Sequence, residues 1–299
     1  MGNRFFCVLV AILLLGSSLS ASPIFTVSFP DDPASPFSGY YSRITTNLLA
    51  AGSVWNQFIG GQSVSIDLQV RFDTLTPRAT GGSAIPVFVS NNGTYNVFQQ
   101  GAAAEIQSGS DPNGILPDGI ITINPSYLTD ELWFDPDPYS RLAPVPSNKT
   151  DAESVFIHEL GHILGFNGYL DSTLGRAPSN FVSTYDQFVE FDGNFYFTGP
   201  QAEAVYGGPV PLTFGNYAHL GNSSPRPGSG LIPDLMNGVV FFEGTRYSPS
   251  ALDVAVLADV GVPMSAVPEP SSALLSALGL LGVVTLLRYR RKLGKERNS

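Results

Sequence analysis

The chain has 299 residues, 43% of them hydrophobic and only 13% charged, with a formal net charge of −10. That length supports one large core or two small ones. With the two ends described below set aside, residues 22–266 hold eight basic and 23 acidic residues, a net charge of −15. A surface so negative repels nucleic acid and anionic lipid, which excludes both as partners.

Met1–Ala21 contains Arg4, an apolar run from Phe5 to Leu15, and the small residues Ser18, Ser20 and Ala21. This is the pattern of a secretory signal peptide, cut near Ser20–Ser22. The single cysteine, Cys7, falls inside it. The processed chain is therefore expected to lack disulfides, thiolate metal ligands and any cysteine-based latency switch.

Apolar residues Tyr41, Ile44, Leu48, Trp55 and Phe58 recur at helical spacing and predict a helix over Ser42–Gln57. Ser63–Phe72 alternates, with Val64, Ile66, Leu68, Val70 and Phe72 on one face, and predicts a half-buried strand. Further strands are expected at Pro86–Ser90 and Gly119–Asn124, with a helix at Tyr95–Gln107. Asp111, Asn113 and Asp118 have oxygen-ligand chemistry suited to calcium, although Asp/Asn/Gly spacing also serves turns.

Thr150–Phe166 reads Thr-Asp-Ala-Glu-Ser-Val-Phe-Ile-His-Glu-Leu-Gly-His-Ile-Leu-Gly-Phe. Thr150 and Glu153 have capping-box spacing, and Gly165 is expected to end the helix in a left-handed turn. His158 and His162, four apart, project from one face and can share one metal ion. Glu159 beside them can reach water activated by that metal. The competing explanation is a chance match on a buried helix. Against it, only three histidines occur in the chain and two of them are here.

A catalytic zinc takes three protein ligands. The position ten residues after His158 is Gly168, and His219 is the one imidazole left. Carboxylates compete for the role in Glu190, Asp186 and Asp192. Phe166–Pro233 shows little periodicity, and order returns at Ser248-Pro249, where Ser caps a helix that runs to Gly261.

The H-E-x-x-H-x-x-G-F core, a distant His219 and Met236 within Asp234-Leu-Met-Asn-Gly238 resemble metzincins with an inserted third histidine, such as leishmanolysin-like secreted bacterial peptidases. The resemblance covers roughly Ser42–Pro263. It implies an α+β, zincin-like fold. A twisted mixed sheet would lie with the active-site helix above it, and an irregular lower subdomain would end in a helix. It further implies zinc on His158, His162 and His219, Glu159 as general base, and Met236 in a methionine turn under the metal. Gly119–Asn124 would pair with an extended protein or peptide substrate as an added strand. A non-catalytic zincin-fold surface or biofilm-matrix protein, or a metal-binding adhesin, is the alternative.

The sequence closes with Val267-Pro-Glu-Pro-Ser-Ser, the apolar run Ala273–Leu287 and the basic cluster Arg288-Tyr-Arg-Arg-Lys292. This tripartite pattern resembles the PEP-CTERM sorting signal, centred on Pro268-Glu269-Pro270. It implies transient membrane anchoring, an exosortase-type processing partner, and release to the cell surface or beyond. The expected organisation is a leader at 1–21, a peptidase domain at 22–266 and a sorting signal at 267–299.

Overall fold

The computed structural model describes residues 22–30 and 35–265; the expected leader and the sorting segment lie outside them. Among the described residues no helix is long and apolar enough to cross a membrane. Chain order begins with β1 (Ile24–Ser28), α1 (Tyr41–Trp55), β2 (Ser65–Phe72), β3 (Ala79–Ser83), β4 (Pro86–Asn91), β5 (Asn96–Gln100), α2 (Gly101–Ser108) and β6 (Gly119–Ile123). Two short pieces follow, β7 (Leu132–Trp133) and β8 (Thr150–Asp151), and lead into the long helix α3 (Ala152–Leu164).

The alternation read in β2 holds residue by residue. Ile66, Leu68 and Val70 are fully buried, while Ser65, Asp67 and Arg71 face outward. β1, β2 and β6 run parallel, and β3 closes one side antiparallel to β6, in the order β1-β2-β6-β3. β6 is therefore interior, paired on both sides, and cannot take an added strand. The edge beside it is β3, an Ala-Thr-Gly-Gly-Ser segment in which Thr80 is the one branched residue of the kind that marks strands. Glycine has a reason there, because a Cβ on Gly81 would run into the Glu159 carbonyl of α3.

α3 is buried along its whole length and packs against α1, whose Trp55 indole donates to the Ile157 carbonyl at 2.8 Å. Its start differs from expectation. Asp151 is the N-cap, accepting from the Ser154 amide at 3.1 Å, and no Thr150–Glu153 capping box forms. Glu153 is instead drawn into an ion pair with Arg246, and Thr150 pairs with Leu132. The end of α3 differs too. Gly165 has φ 167°, which is extended and not left-handed. Glycine is needed for space, since a Cβ would lie 2.7 Å from Val260 Cγ2.

Tyr95–Gln107 is not one helix: β5 occupies its first half and α2 begins at Gly101. β5 sits between antiparallel β4 and parallel β9 (Phe181–Ser183). The stretch after α3 is less irregular than its composition suggests. β10 (Val189–Phe191), β11 (Phe195–Phe197) and, after α4 (Pro200–Tyr206), β12 (Val210–Leu212) form an antiparallel sheet. Strands of three residues are too short to show a period. The last helix, α5 (Ala251–Asp259), is capped by Ser250 with Asp253, so the cap lies two residues later than Ser248. Beyond α5 the chain is pinned back to the end of α1. Ile59 bridges Met264, Gly60 donates to Pro263 and Ser265 donates to Phe58.

Candidate metal centre

The spacing of His158 and His162 on α3 puts their rings side by side, with Nε2 atoms 3.1 Å apart. His219 arrives from the far side of the insertion. Its Nε2 is 3.2 Å from that of His158 and 3.0 Å from that of His162. All three sequence-derived candidate ligands therefore meet in one triangle. Two carbonyls lie close behind the ring pair on α3, and a third stands further off behind His219. His158 Nδ1 faces Leu235 O at 2.8 Å, His162 Nδ1 faces Phe166 O at 2.6 Å, and His219 Nδ1 faces Asn216 O at 3.3 Å.

A carbonyl can only accept, so each Nδ1 carries the proton and each Nε2 carries a lone pair. Three lone pairs then point at one another with no donor between them. Burial drives the imidazoles further toward neutrality, lowering His158 to about 3 and His162 to about 4. His219 is lowered as well, by burial and by the two neighbouring rings. A proton is a poor filler for such a nest, and a soft-to-borderline cation is a good one. Tetrahedral nitrogen ligands at ~2.0–2.1 Å from zinc stand ~3.3–3.4 Å apart, close to the observed spacing. The residues fit the ion.

Glu159 lies beside the triangle. Burial pushes its carboxyl up to about 8, while a hydrogen bond from the Gly81 backbone amide of β3 pulls the other way. The open space in front has two lobes that share His158, Glu159 and His219. One, about 180 Å³, reaches Tyr127, Val155 and Phe241; the other, about 500 Å³, reaches Thr80, Gly81 and Asn167. Arg78, just before β3, lines both lobes.

Met236 is fully buried under the helix, and its sulfur would lie 2.7 Å from a Cβ at Gly161. Gly161 sits between the two histidines of α3, so its missing side chain lets the thioether come up beneath them. The same segment holds the third histidine in place. Leu220 donates to the Met236 carbonyl at 2.8 Å, and Leu220 and Asn237 bridge in parallel.

None of the rival carboxylates joins the triangle. Glu190 and Asp192 are exposed, the first on β10 and the second accepting from Asn194 in a turn. Asp186 is buried with another task. It accepts from the Tyr169 and Ser183 amides at 2.9 and 2.8 Å and from the Tyr217 hydroxyl at 2.8 Å. Tyr217 precedes His219 by two residues, so Asp186 anchors the loop that delivers the third imidazole. Gly168, the position without a histidine, backs this knot: a Cβ there would collide with Asp186 and Tyr217.

Sequence reasoning also missed what holds the start of α3. Arg246 Nη2 lies 2.6 Å from Asp135 and 3.8 Å from Asp151, and its Nη1 is 2.8 Å from Glu153. Arg141 Nε stands 3.4 Å from the other Glu153 oxygen, and its Nη2 donates to the Tyr247 carbonyl at 2.6 Å. Burial still pushes Glu153 up to about 7, against the pull of both guanidinium groups. The only sequence signal was rarity: eight basic residues in the body leave few that can be idle.

One family model matches the chain, the PEP-CTERM protein-sorting motif, over residues 266–292. No curated protein and no solved structure matches. PEP-CTERM signals are recognised by exosortase-type enzymes, which agrees with the processing partner read from the tail. The chain is thus a secreted protein, sorted through its C-terminus to the cell surface or the extracellular space.

Proposed function

We propose that this secreted protein is a zinc endopeptidase with a zincin-like fold of the metzincin kind. One observation carries the reading: three unprotonated imidazole nitrogens, two of them aligned by close carbonyls, converge beside a buried glutamate in an open cleft. His158, His162 and His219 would hold the ion. When bound, zinc supplies Lewis acidity toward a carbonyl and makes water more acidic, toward a pKa of ~7.

The remaining work falls to this chain's own groups. A cation held by the imidazoles would favour the ionised form of Glu159, which otherwise retains its proton. Ionised, Glu159 accepts a proton from water at the mouth of the cleft and returns it to the departing amine. Among the described residues the outer side of β3 pairs with no strand, so an extended peptide can add there and cross the triangle from one lobe to the other. Arg78 offers donors to its carbonyls or acidic side chains. No tyrosine closely follows Met236, and we assign none to the oxyanion.

The test is cleavage of casein or a quenched peptide library by the purified protein, with chelation and zinc add-back. One zinc per chain and chelator-sensitive cleavage are expected. Glu159→Gln should keep zinc and fold while turnover falls at least ~10²–10⁴-fold. Zinc bound without any cleavage would turn the assignment to a metal-holding surface protein, and undiminished cleavage by Glu159→Gln would defeat the role of that residue.

A further inference from the structure

A second cluster of metal-ligating oxygens lies away from the histidines, at the junction of α2, the 110–117 loop and β6. Glu105, on the inner face of α2, and Asp118, just before β6, are 3% and 4% exposed. Asp118 is already bound on one oxygen, where Oδ2 accepts from the Asp67 amide at 2.7 Å. Its Oδ1 has no donor, and neither has Glu105 Oε2. Neither oxygen accepts from an amide or hydroxyl, and the two carboxyls hydrogen-bond to each other only by sharing the proton that Glu105 retains. Asn113, in the joining loop, donates its amide hydrogens to Leu116 and Pro117 carbonyls, and its Oδ1 is also buried without a donor. Asp111 contributes the third carboxylate, and one oxygen from each of Glu105, Asp111 and Asp118 lies within 4.8 Å of the others.

Acceptors gathered in this way repel unless a proton or a cation enters, and a cation would displace the proton that Glu105 shares with Asp118. Burial and then the Asp118 charge push Glu105 up to about 8, and Asp118 is raised too, by burial first. No ion pair reaches the cluster among the described residues, whose ion pairs gather at Arg141 and Arg246. Oxygens on opposite sides of a calcium ion at ~2.4 Å are ~4.8 Å apart, so the group is of the right size. The absence of nitrogen and sulfur ligands disfavours zinc, and an irregular, carboxylate-rich set disfavours magnesium.

The geometry points to a structural calcium site formed by Glu105, Asp111 and Asp118, with Asn113 beside them. It is independent of the zinc reading. The ion would tie α2 to the start of β6. The Asp118 amide already donates to the Asp67 carbonyl of β2 at 2.8 Å, its side chain accepts from the Asp67 amide, and its carbonyl accepts from Ala84, next to β3, at 2.7 Å. Calcium would therefore brace the end of the sheet whose edge borders the cleft.

The test uses the purified full-length protein, stripped of metal, resupplied with zinc and titrated with calcium chloride by calorimetry. One calcium per chain with a dissociation constant of ~0.1–1 mM is expected, as for extracellular modules. The thermal midpoint should rise by several degrees at saturation. Glu105→Gln with Asp118→Asn keeps the shape and should weaken binding at least tenfold. Should that pair fail to fold, Asp111→Asn on the exposed loop is the second variant, with the same tenfold loss. Absence of binding up to about 10 mM calcium would overturn the site, as would undiminished binding by either folded variant. An equal response to magnesium chloride would overturn the calcium assignment. Zinc content measured on the same samples separates the two centres: losing zinc with calcium retained counts against the peptidase alone.

Discussion

The two halves of the histidine triangle are held by chain segments of very different reach. His158 and His162 are set relative to each other by one turn of α3, and the ring of His162 is aligned by Phe166, four residues on. His219, 57 residues beyond His162, is brought to the pair by tertiary contacts. Asp186 fixes Tyr217, the Tyr185 hydroxyl donates to the Tyr217 carbonyl at 3.0 Å, and Leu220 is stitched to the Met236 segment. A pair placed by a helix persists as long as the helix does. A ligand placed by a folded loop depends on every contact that folds it. Metal affinity should therefore respond to damage on the loop side, and global stability to damage under the helix.

The largest effect should come from breaking the helix side at Arg246. Arg246→Ala leaves the buried Asp135 without its cation and Glu153 with Arg141 alone, and breaking comparable buried pairs costs about 3–5 kcal/mol. Urea unfolding followed by circular dichroism measures it, and a loss under about 1 kcal/mol would mean the network is incidental. Next comes the loop side. Tyr217→Phe removes the hydroxyl shared by Asp186 and Leu170 while keeping the ring. Zinc affinity should fall ~10–100-fold with the helical signal unchanged, as for other outer-layer partners of a metal site. Competition with a chromogenic chelator reads this out, and an unchanged affinity would show that His219 does not need the anchor.

The smallest effect is expected where the halves meet. Met236→Leu conserves volume and should cost less than about 1.5 kcal/mol, with zinc stoichiometry intact. A cost well above that would assign the sulfur a role beyond filling the space opened by Gly161. Glu159→Gln, by contrast, should leave both halves standing and remove only turnover.

This division also explains what could be read from residues alone. α1, β2 and α3 carry long, regular apolar periods, and their ranges emerge within a few residues. β3 has no such period: Gly81 is there because α3 approaches closely, and a helix crossing a sheet is invisible to local pattern. Tyr95–Gln107 divides because the chain turns at Gly101 from β5 into α2, and five strand residues leading straight into a helix leave no local sign of the change. The caps slipped for a similar reason. Thr150 fits a capping box locally, but Glu153 meets a stronger partner in Arg246, 93 residues away. His219 is reachable by counting imidazoles, whereas Asp186 competes as a ligand in sequence because the amides that occupy it are brought to it only by the fold.

The backbone staple after α5 bears on how a surface protein carries load. The sorting motif starts at residue 266, immediately after Ser265, which donates to Phe58. While the tail is held in the envelope, tension on it reaches the body first at the Phe58–Gly60 and Pro263–Ser265 hydrogen bonds. Those bonds lie at the end of α1, whose Trp55 donates to α3. Pulling must break this clasp before it can peel α5 from Gly165 or disturb the histidines. Cutting the tail at the motif removes the tension and leaves the clasp closed, so tethered and released forms should present the same cleft.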